Sequence, residues 1–244
     1  MGESSPKYLT CQNRVAESLH SLLKVDEALA EYSRLLPLFA QSFGESSIET
    51  MHVQNCIAVA YRDLKKLDQA IPLFRMVTEF REKLLEPNHP LVLQSQENLA
   101  IALRDLGEFA ESRELLSKVL EVRRDLFPAA HPILISNHGE LALCIAMSGD
   151  LAAALPMFEE IFDDATTALG ADHDETLKAG GNLSMSLIFS GRPAEAFDLL
   201  QELLPRHVTR YGLEYGDTVN CLQALSAAAK AADRIDEART LLIP

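Results

Sequence analysis

Three histidines are the side chains of this sequence that most resemble a chemical site. His89, His131 and His173 follow one another at an interval of 42 residues, and imidazole nitrogens are common zinc ligands. A metal ion needs all its ligands within a few ångströms of one centre. A fixed interval instead places each histidine in an equivalent linker of a repeated unit, one repeat away from the next. We therefore predict a structural role in the linkers for these histidines, and no metal site.

The four cysteines are the other side chains with obvious reactivity. Cys11, Cys56, Cys144 and Cys221 lie far apart and form no Cys-x-x-Cys pair, whereas disulfide frameworks and zinc sites need clustered cysteines. Reduced thiols in a cytosolic protein are the simplest interpretation. No Ser/His/Asp, Cys/His or glycine-rich phosphate motif has supporting context. We therefore expect no catalytic residue, no cofactor and no enzymatic activity.

Charge and hydropathy narrow the range of partners. The formal net charge is -14 and the sequence pI is about 4.9, which disfavours nucleic acid and anionic membranes because both attract basic proteins. No apolar run approaches the roughly 18 residues of a membrane span, and the N-terminus lacks the apolar core of a signal peptide. The sequence therefore predicts a cytoplasmic protein with a protein or peptide partner.

A repeat runs through the whole chain and must position these side chains. Small residues recur at an interval of 42 residues, and they are Ala28, Ala70, Ser112, Ala154, Ala196 and Ala238. Apolar positions around them have the spacing of helix faces, which predicts two helices per repeat, called A and B. The small residue of helix B allows helix A to approach closely.

A turn column separates helix A from helix B in each repeat. In chain order, it reads Leu23, Lys65, Gly107, Gly149, Gly191 and Asp233. Glycine suits a helix end at which a residue in the left-handed conformation closes the last turn. The three repeats without glycine must therefore use a different turn or accept strain.

The pattern resembles the tetratricopeptide repeat in the long 42-residue variant found in kinesin light chains. Four segments carry the resemblance: Glu97-Asn98-Leu99-Ala100, Leu106-Gly107-Glu108-Phe109-Ala110-Glu111, His131-Pro132 and Gly191-Arg192-Pro193-Ala194-Glu195-Ala196. HEAT and armadillo arrays have similar periods but fit these phrases less well. The resemblance implies an all-α superhelical solenoid of antiparallel helix pairs. It forms one domain over 1–244, with full repeats at about 7–48, 49–90, 91–132, 133–174 and 175–216 and a partial sixth at 217–244.

The resemblance also implies a binding groove, because tetratricopeptide arrays bind peptides on the concave face made by the A helices. The candidate groove residues are Asn13, Arg14, Asn55, Arg62, Gln94, Asn98, Arg104, Met147, Lys178, Asn182, Met185 and Phe189. Glu17, His20 and His52 fall on the same face. Its first half is polar and its second half is apolar. We therefore expect arginines and asparagines to hold peptide backbone and an acidic stretch, while the region around Met185 and Phe189 takes an apolar anchor.

Simpler interpretations stay open for parts of this face. Asp63 and Asp105 directly follow Arg62 and Arg104, so these arginines could be neutralised locally. Asn98 and Asn182 could serve only to bond neighbouring helices. The apolar half could be covered by chain from elsewhere.

The expected function is a non-catalytic protein-interaction scaffold. The alternatives are a regulatory or sensor region of a larger protein whose catalytic domain lies outside this chain, and an architectural spacer. The sequence stops at Leu241-Leu242-Ile243-Pro244, within the last helix B. Since solenoids need a capping element, we expect either a continuation of the chain or self-association at that end.

Overall fold

The computed structural model describes residues 5–128 and 130–242, and these ranges contain twelve α-helices and no β-strand. The helices are α1 (Pro6–Ser21), α2 (Val25–Phe43), α3 (Ile48–Asp63), α4 (Leu67–Leu84), α5 (Pro90–Leu106), α6 (Phe109–Leu126), α7 (Pro132–Met147), α8 (Leu151–Leu169), α9 (Asp174–Phe189), α10 (Pro193–Tyr211), α11 (Gly216–Ala231) and α12 (Ile235–Leu242). Odd numbers are the predicted A helices and even numbers the B helices. Ile243 and Pro244, at the end of the expected partial repeat, lie outside the described residues.

The chain forms two compact units, Met1–Leu115 and Leu116–Pro244. In the first unit, α1 packs on α2, α2 on α3, α3 on α4 and α4 on α5, and the A helices α1, α3 and α5 touch in succession. In the second unit, α7 to α12 pack in the same consecutive order, and α9 touches both α7 and α11. The predicted all-α stack of antiparallel helix pairs is thereby confirmed. A single solenoid over 1–244 stays a prediction.

The turn between helices A and B is the same in all six repeats. Gly107, Gly149 and Gly191 have φ angles of 96°, 99° and 75°. The three residues that replace glycine are also left-handed, with φ of 61° at Leu23, 59° at Lys65 and 58° at Asp233. The repeats without glycine therefore keep the same turn and accept backbone strain. Glycine has no Cβ atom and adopts this conformation without crowding. In other residues the crowding of the Cβ atom costs about 1–2 kcal/mol.

The linker histidines cap the A helices. Nδ1 of His89, His131 and His173 accepts a hydrogen bond from the backbone N–H two residues ahead, at 3.1, 3.2 and 3.1 Å. Ser5 and Ser47 occupy the equivalent positions and cap α1 and α3. These bonds satisfy donors that the first turn of a helix leaves free. The predicted structural role of the three histidines is thus confirmed.

The small-residue column lies in the core, as predicted. Ala28, Ala70, Ala154 and Ala196 are fully buried, and the Ser112 hydroxyl donates to the Ala100 carbonyl at 2.7 Å. Four residues after the small residue, a large apolar side chain fills the space, and Tyr32, Phe74, Leu116, Phe158 and Leu200 are all at most 1% exposed. Burying one such side chain contributes about 1.5–3 kcal/mol, so each repeat adds a layer to the core of its unit.

Candidate functional site

The arginines of the first unit differ in their availability to a ligand. Arg62 and Arg104 each bond the aspartate that follows, with Nη2 at 3.0 Å from Asp63 Oδ1 and 3.1 Å from Asp105 Oδ1. Their side chains are only 20% and 11% exposed. Local neutralisation, the simpler interpretation of these two residues, is what the geometry shows. Arg14 is exposed on α1 and has no ion pair with a described residue.

The buried amide side chains of the first unit make hydrogen bonds within and between its A helices. Asn55 is 5% exposed, and its Oδ1 accepts a hydrogen bond from Asn98 Nδ2 at 3.3 Å, which links α3 to α5. Asn13 is also 5% exposed and donates from Nδ2 to Glu17 Oε1 at 2.8 Å. Gln94 is exposed on α5. Asn13 and Asn55 therefore stabilise the face that was expected to bind, and ligand contact by either stays a prediction.

The second unit carries an exposed apolar patch, defined by Met147 on α7 and by Met185 and Phe189 on α9. Their side chains are 50%, 41% and 71% exposed. Met185 and Phe189 are four residues apart and share one helix face. Met147 and Phe189 are 42 residues apart and therefore equivalent in two A helices that touch. The three side chains thus lie on the same side of the unit.

Two further groove candidates flank the apolar patch. Lys178 Nζ lies 2.9 Å from Glu140 Oε1, an ion pair between α9 and α7 in which the glutamate is 8% exposed. Asn182 is half-buried on α9. A Cβ atom added to the neighbouring Gly181 would meet nothing within 4 Å. The backbone beside the apolar patch is therefore open to a ligand.

A cluster that sequence reasoning missed lies between α1 and α3. His52 Nε2 is 2.9 Å from Glu17 Oε1 and 3.8 Å from Cys56 Sγ. Burial, and then the charge of Glu17, raise the pKa of the Cys56 thiol to about 12, while a hydrogen bond from Tyr32 acts in the opposite direction. Only the His52-x-x-x-Cys56 spacing is visible in the sequence, because Glu17 joins it through helix packing.

None of the helices in residues 5–128 and 130–242 has the length and apolar character needed to cross a membrane.

Comparison with known families points to one repeat type. The family model described as tetratricopeptide repeat matches residues 49–125 and 133–207. No curated protein sequence matches the chain significantly.

Solved structures share the fold at low sequence identity. One is a protein of Podosopora anserina described as a kinesin light chain with nearly identical TPR-like repeats, at 23% identity and a TM-score of 0.67, covering 85% of this chain and 98% of that one. Rap protein complexed with Competence and Sporulation Factor is 15% identical, with a TM-score of 0.66 over 95% of this chain and 72% of its own. NprR in complex with its cognate peptide NprX is 14% identical, with a TM-score of 0.68 over 96% and 64%. The resemblance to kinesin-light-chain repeats inferred from the sequence is thus confirmed at the level of the fold.

Proposed function

The chain belongs to the tetratricopeptide repeat family, since the family model covers more than half of it, and from this premise we propose that it is a non-catalytic scaffold that binds a peptide or a segment of another protein. The fold is typical of protein-interaction scaffolds, whereas the binding activity must come from a specific surface. A cytoplasmic location belongs to the same proposal. It is supported by the free cysteines Cys11, Cys56, Cys144 and Cys221, which suit a reducing compartment.

The apolar patch carries the proposal. Phe189 is 71% exposed, and Met147 and Met185 lie on the same side. Grouped large apolar side chains on the surface of a soluble domain commonly mark an interaction site. Methionine adapts to apolar ligands of varied shape, and Gly181 leaves room for a ligand backbone. We therefore assign the apolar anchor of the ligand to this patch.

Two structural neighbours support a peptide as ligand. The Rap protein and NprR were both solved with a peptide or factor bound, and each aligns with nearly all of this chain. Their low identity carries the fold alone, so the contacts proposed here rest on the side chains of this protein.

A second contact is proposed in the first unit, for an acidic stretch of the partner. Arg14 supports it, because it is exposed and its guanidinium is available to a carboxylate. Arg62 and Arg104 support it less, since Asp63 and Asp105 already hold their guanidinium groups. Arg14→Glu is therefore expected to weaken an acidic ligand more than Arg62→Glu does.

Selection from a random peptide library against the full chain tests the proposal, followed by fluorescence anisotropy of the selected peptides. Phe189→Ala and Met185→Ala are expected to weaken binding by about tenfold or more, as central apolar anchors do. Leu213→Ala is the matched control, because Leu213 is 62% exposed in the same unit but lies outside the apolar patch. Failure to select any peptide, or equal losses in Phe189→Ala and Leu213→Ala, would contradict the assignment.

A further inference from the structure

Three side chains with metal-ligand chemistry meet between α1 and α3. One ligand atom each from Glu17, His52 and Cys56 lies within 4.8 Å of the other two. From this geometry we propose that the three residues bind a zinc ion that joins helix A of the first repeat to helix A of the second. The site lies one turn from Arg14 on α1 but shares no side chain with the contacts proposed above, so metal titration and peptide selection test the two proposals separately.

The ligand set favours zinc over harder cations. A thiolate and an imidazole select zinc among the common divalent ions, and a carboxylate completes a frequent combination. Zinc bonds of roughly 2.0–2.3 Å in a tetrahedron set its ligand atoms about 3.3–3.8 Å apart. The separations here are 2.9 Å from His52 Nε2 to Glu17 Oε1 and 3.8 Å from His52 Nε2 to Cys56 Sγ. Small side-chain movements therefore suffice to form the site.

The helices hold these ligands in place. His52 and Cys56 are four residues apart on α3, the spacing that puts two ligands on one helix face. Asn13, only 5% exposed, donates to Glu17 Oε1 at 2.8 Å. Outer partners of this kind orient the ligands of metal sites.

Solvent reaches the outer side of the proposed site, so both the ion and a water molecule as fourth ligand can enter there. The side chains of Glu17 and His52 are 41% and 43% exposed, so the ion enters from solvent and keeps a water molecule in the remaining position. Cys56 closes the inner side of the site at 9% exposure. Its thiol gives up its proton to solvent when the zinc–sulfur bond forms.

Titration of the full chain with Zn²⁺ and Co²⁺ tests the site. Calorimetry is expected to give one zinc ion per chain, and Co²⁺ is expected to give the absorption bands of tetrahedral coordination with a thiolate charge-transfer band. Cys56→Ser should remove the charge-transfer band, and Asn13→Ala should weaken zinc binding by about 10–100-fold, as loss of the outer partner of Glu17 does. Cys11→Ser is the control, because Cys11 is the exposed cysteine of α1 and should leave the band unchanged.

His52→Gln guards against a variant that fails to fold, since His52 lies partly in solvent. We expect it to abolish the bands while the helix content measured by circular dichroism stays that of the unmodified chain. Absence of Co²⁺ bands in the unmodified chain would overturn the proposal. A charge-transfer band that persists in Cys56→Ser, or one that disappears in Cys11→Ser, would overturn it too.

Discussion

Two adjacent glycines of α9 allow packing and helix propensity to be separated. A methyl group at Gly180 would lie 2.7 Å from Leu203 Cδ1 and 3.0 Å from Phe162 Cε2, whereas one at Gly181 meets nothing within 4 Å. Carbon atoms in contact prefer about 3.5–4.0 Å, and Leu203 is only 3% exposed. The clash at Gly180 must therefore displace a packed core side chain.

The two alanine variants should change stability in different directions. Each gains about 0.8–1 kcal/mol of helix propensity when glycine is replaced. Overpacking at Gly180 costs about 1–3 kcal/mol, so Gly180→Ala is expected to be neutral to destabilising by about 2 kcal/mol. Gly181→Ala keeps the whole gain. The difference of about 1–3 kcal/mol corresponds to several degrees in the unfolding midpoint, at roughly 2–4 °C per kcal/mol for a chain of this size.

Thermal and urea unfolding followed by far-UV circular dichroism measure this difference. Gly181→Ala is the matched control for Gly180→Ala, since the two sites share one helix and one substitution. Leu203→Val shortens the side chain that clashes and should recover part of the loss in the Gly180→Ala background. A Gly180→Ala variant with a midpoint equal to or above that of Gly181→Ala would refute the reasoning.

Three further predictions concern backbone strain and two buried basic side chains. Lys65→Gly should raise the free energy of unfolding by about 0.5–1 kcal/mol, because the left-handed strain at Lys65 exceeds the extra chain entropy of glycine. Gly107→Ala should lower the free energy of unfolding by a similar amount. Urea unfolding measures both changes. Burial lowers the pKa of His207, so the stability that depends on its neutral form is complete above the unfolded-state pKa of about 6.5 and declines as the pH falls below it. His207→Phe should reduce this decline between about pH 7 and 5 in urea titrations, and an unchanged pH dependence would exclude His207 as its source. Arg81 is 1% exposed, and its buried Nε and Nη2 atoms have no hydrogen-bond partner among the described residues. Arg81→Met should therefore leave the free energy of unfolding unchanged or raise it by about 1 kcal/mol or more. A clear loss of stability in calorimetry would show that the guanidinium stabilises the fold.

The fold was predictable from the sequence because equivalent helix and turn positions recur in every repeat, so each copy supports the interpretation of the others. Without the other repeats, the sequence around Lys65 would not have indicated a left-handed turn residue. The glycines at the equivalent positions showed which conformation that turn must take, although they left open whether lysine would follow it. The linker role of His89, His131 and His173 was predictable for the same reason, since their interval makes them equivalent, whereas their bonds to the A helices are visible only in the structure.

The candidate site was less predictable, because it depends on side-chain pairs that periodicity does not specify. The repeat places Arg62 and Arg104 on the expected face, but only the structure shows that their neighbouring aspartates bond them. Glu17 and Cys56 lie in different repeats, and the register between α1 and α3 brings them together. A self-alignment gives the equivalent positions of two helices and not the distance between their side chains.

The histidine caps of α7 and α9 have a consequence for how such a chain can grow. His131 and His173 form the same cap at the same point of consecutive repeats, so the residues between them constitute a block with the same kind of helix cap at both ends. Duplication or removal of this 42-residue block would rejoin a histidine to the helix start that it already caps. The caps are therefore points at which recombination can change the number of repeats and preserve the histidine cap at each helix start.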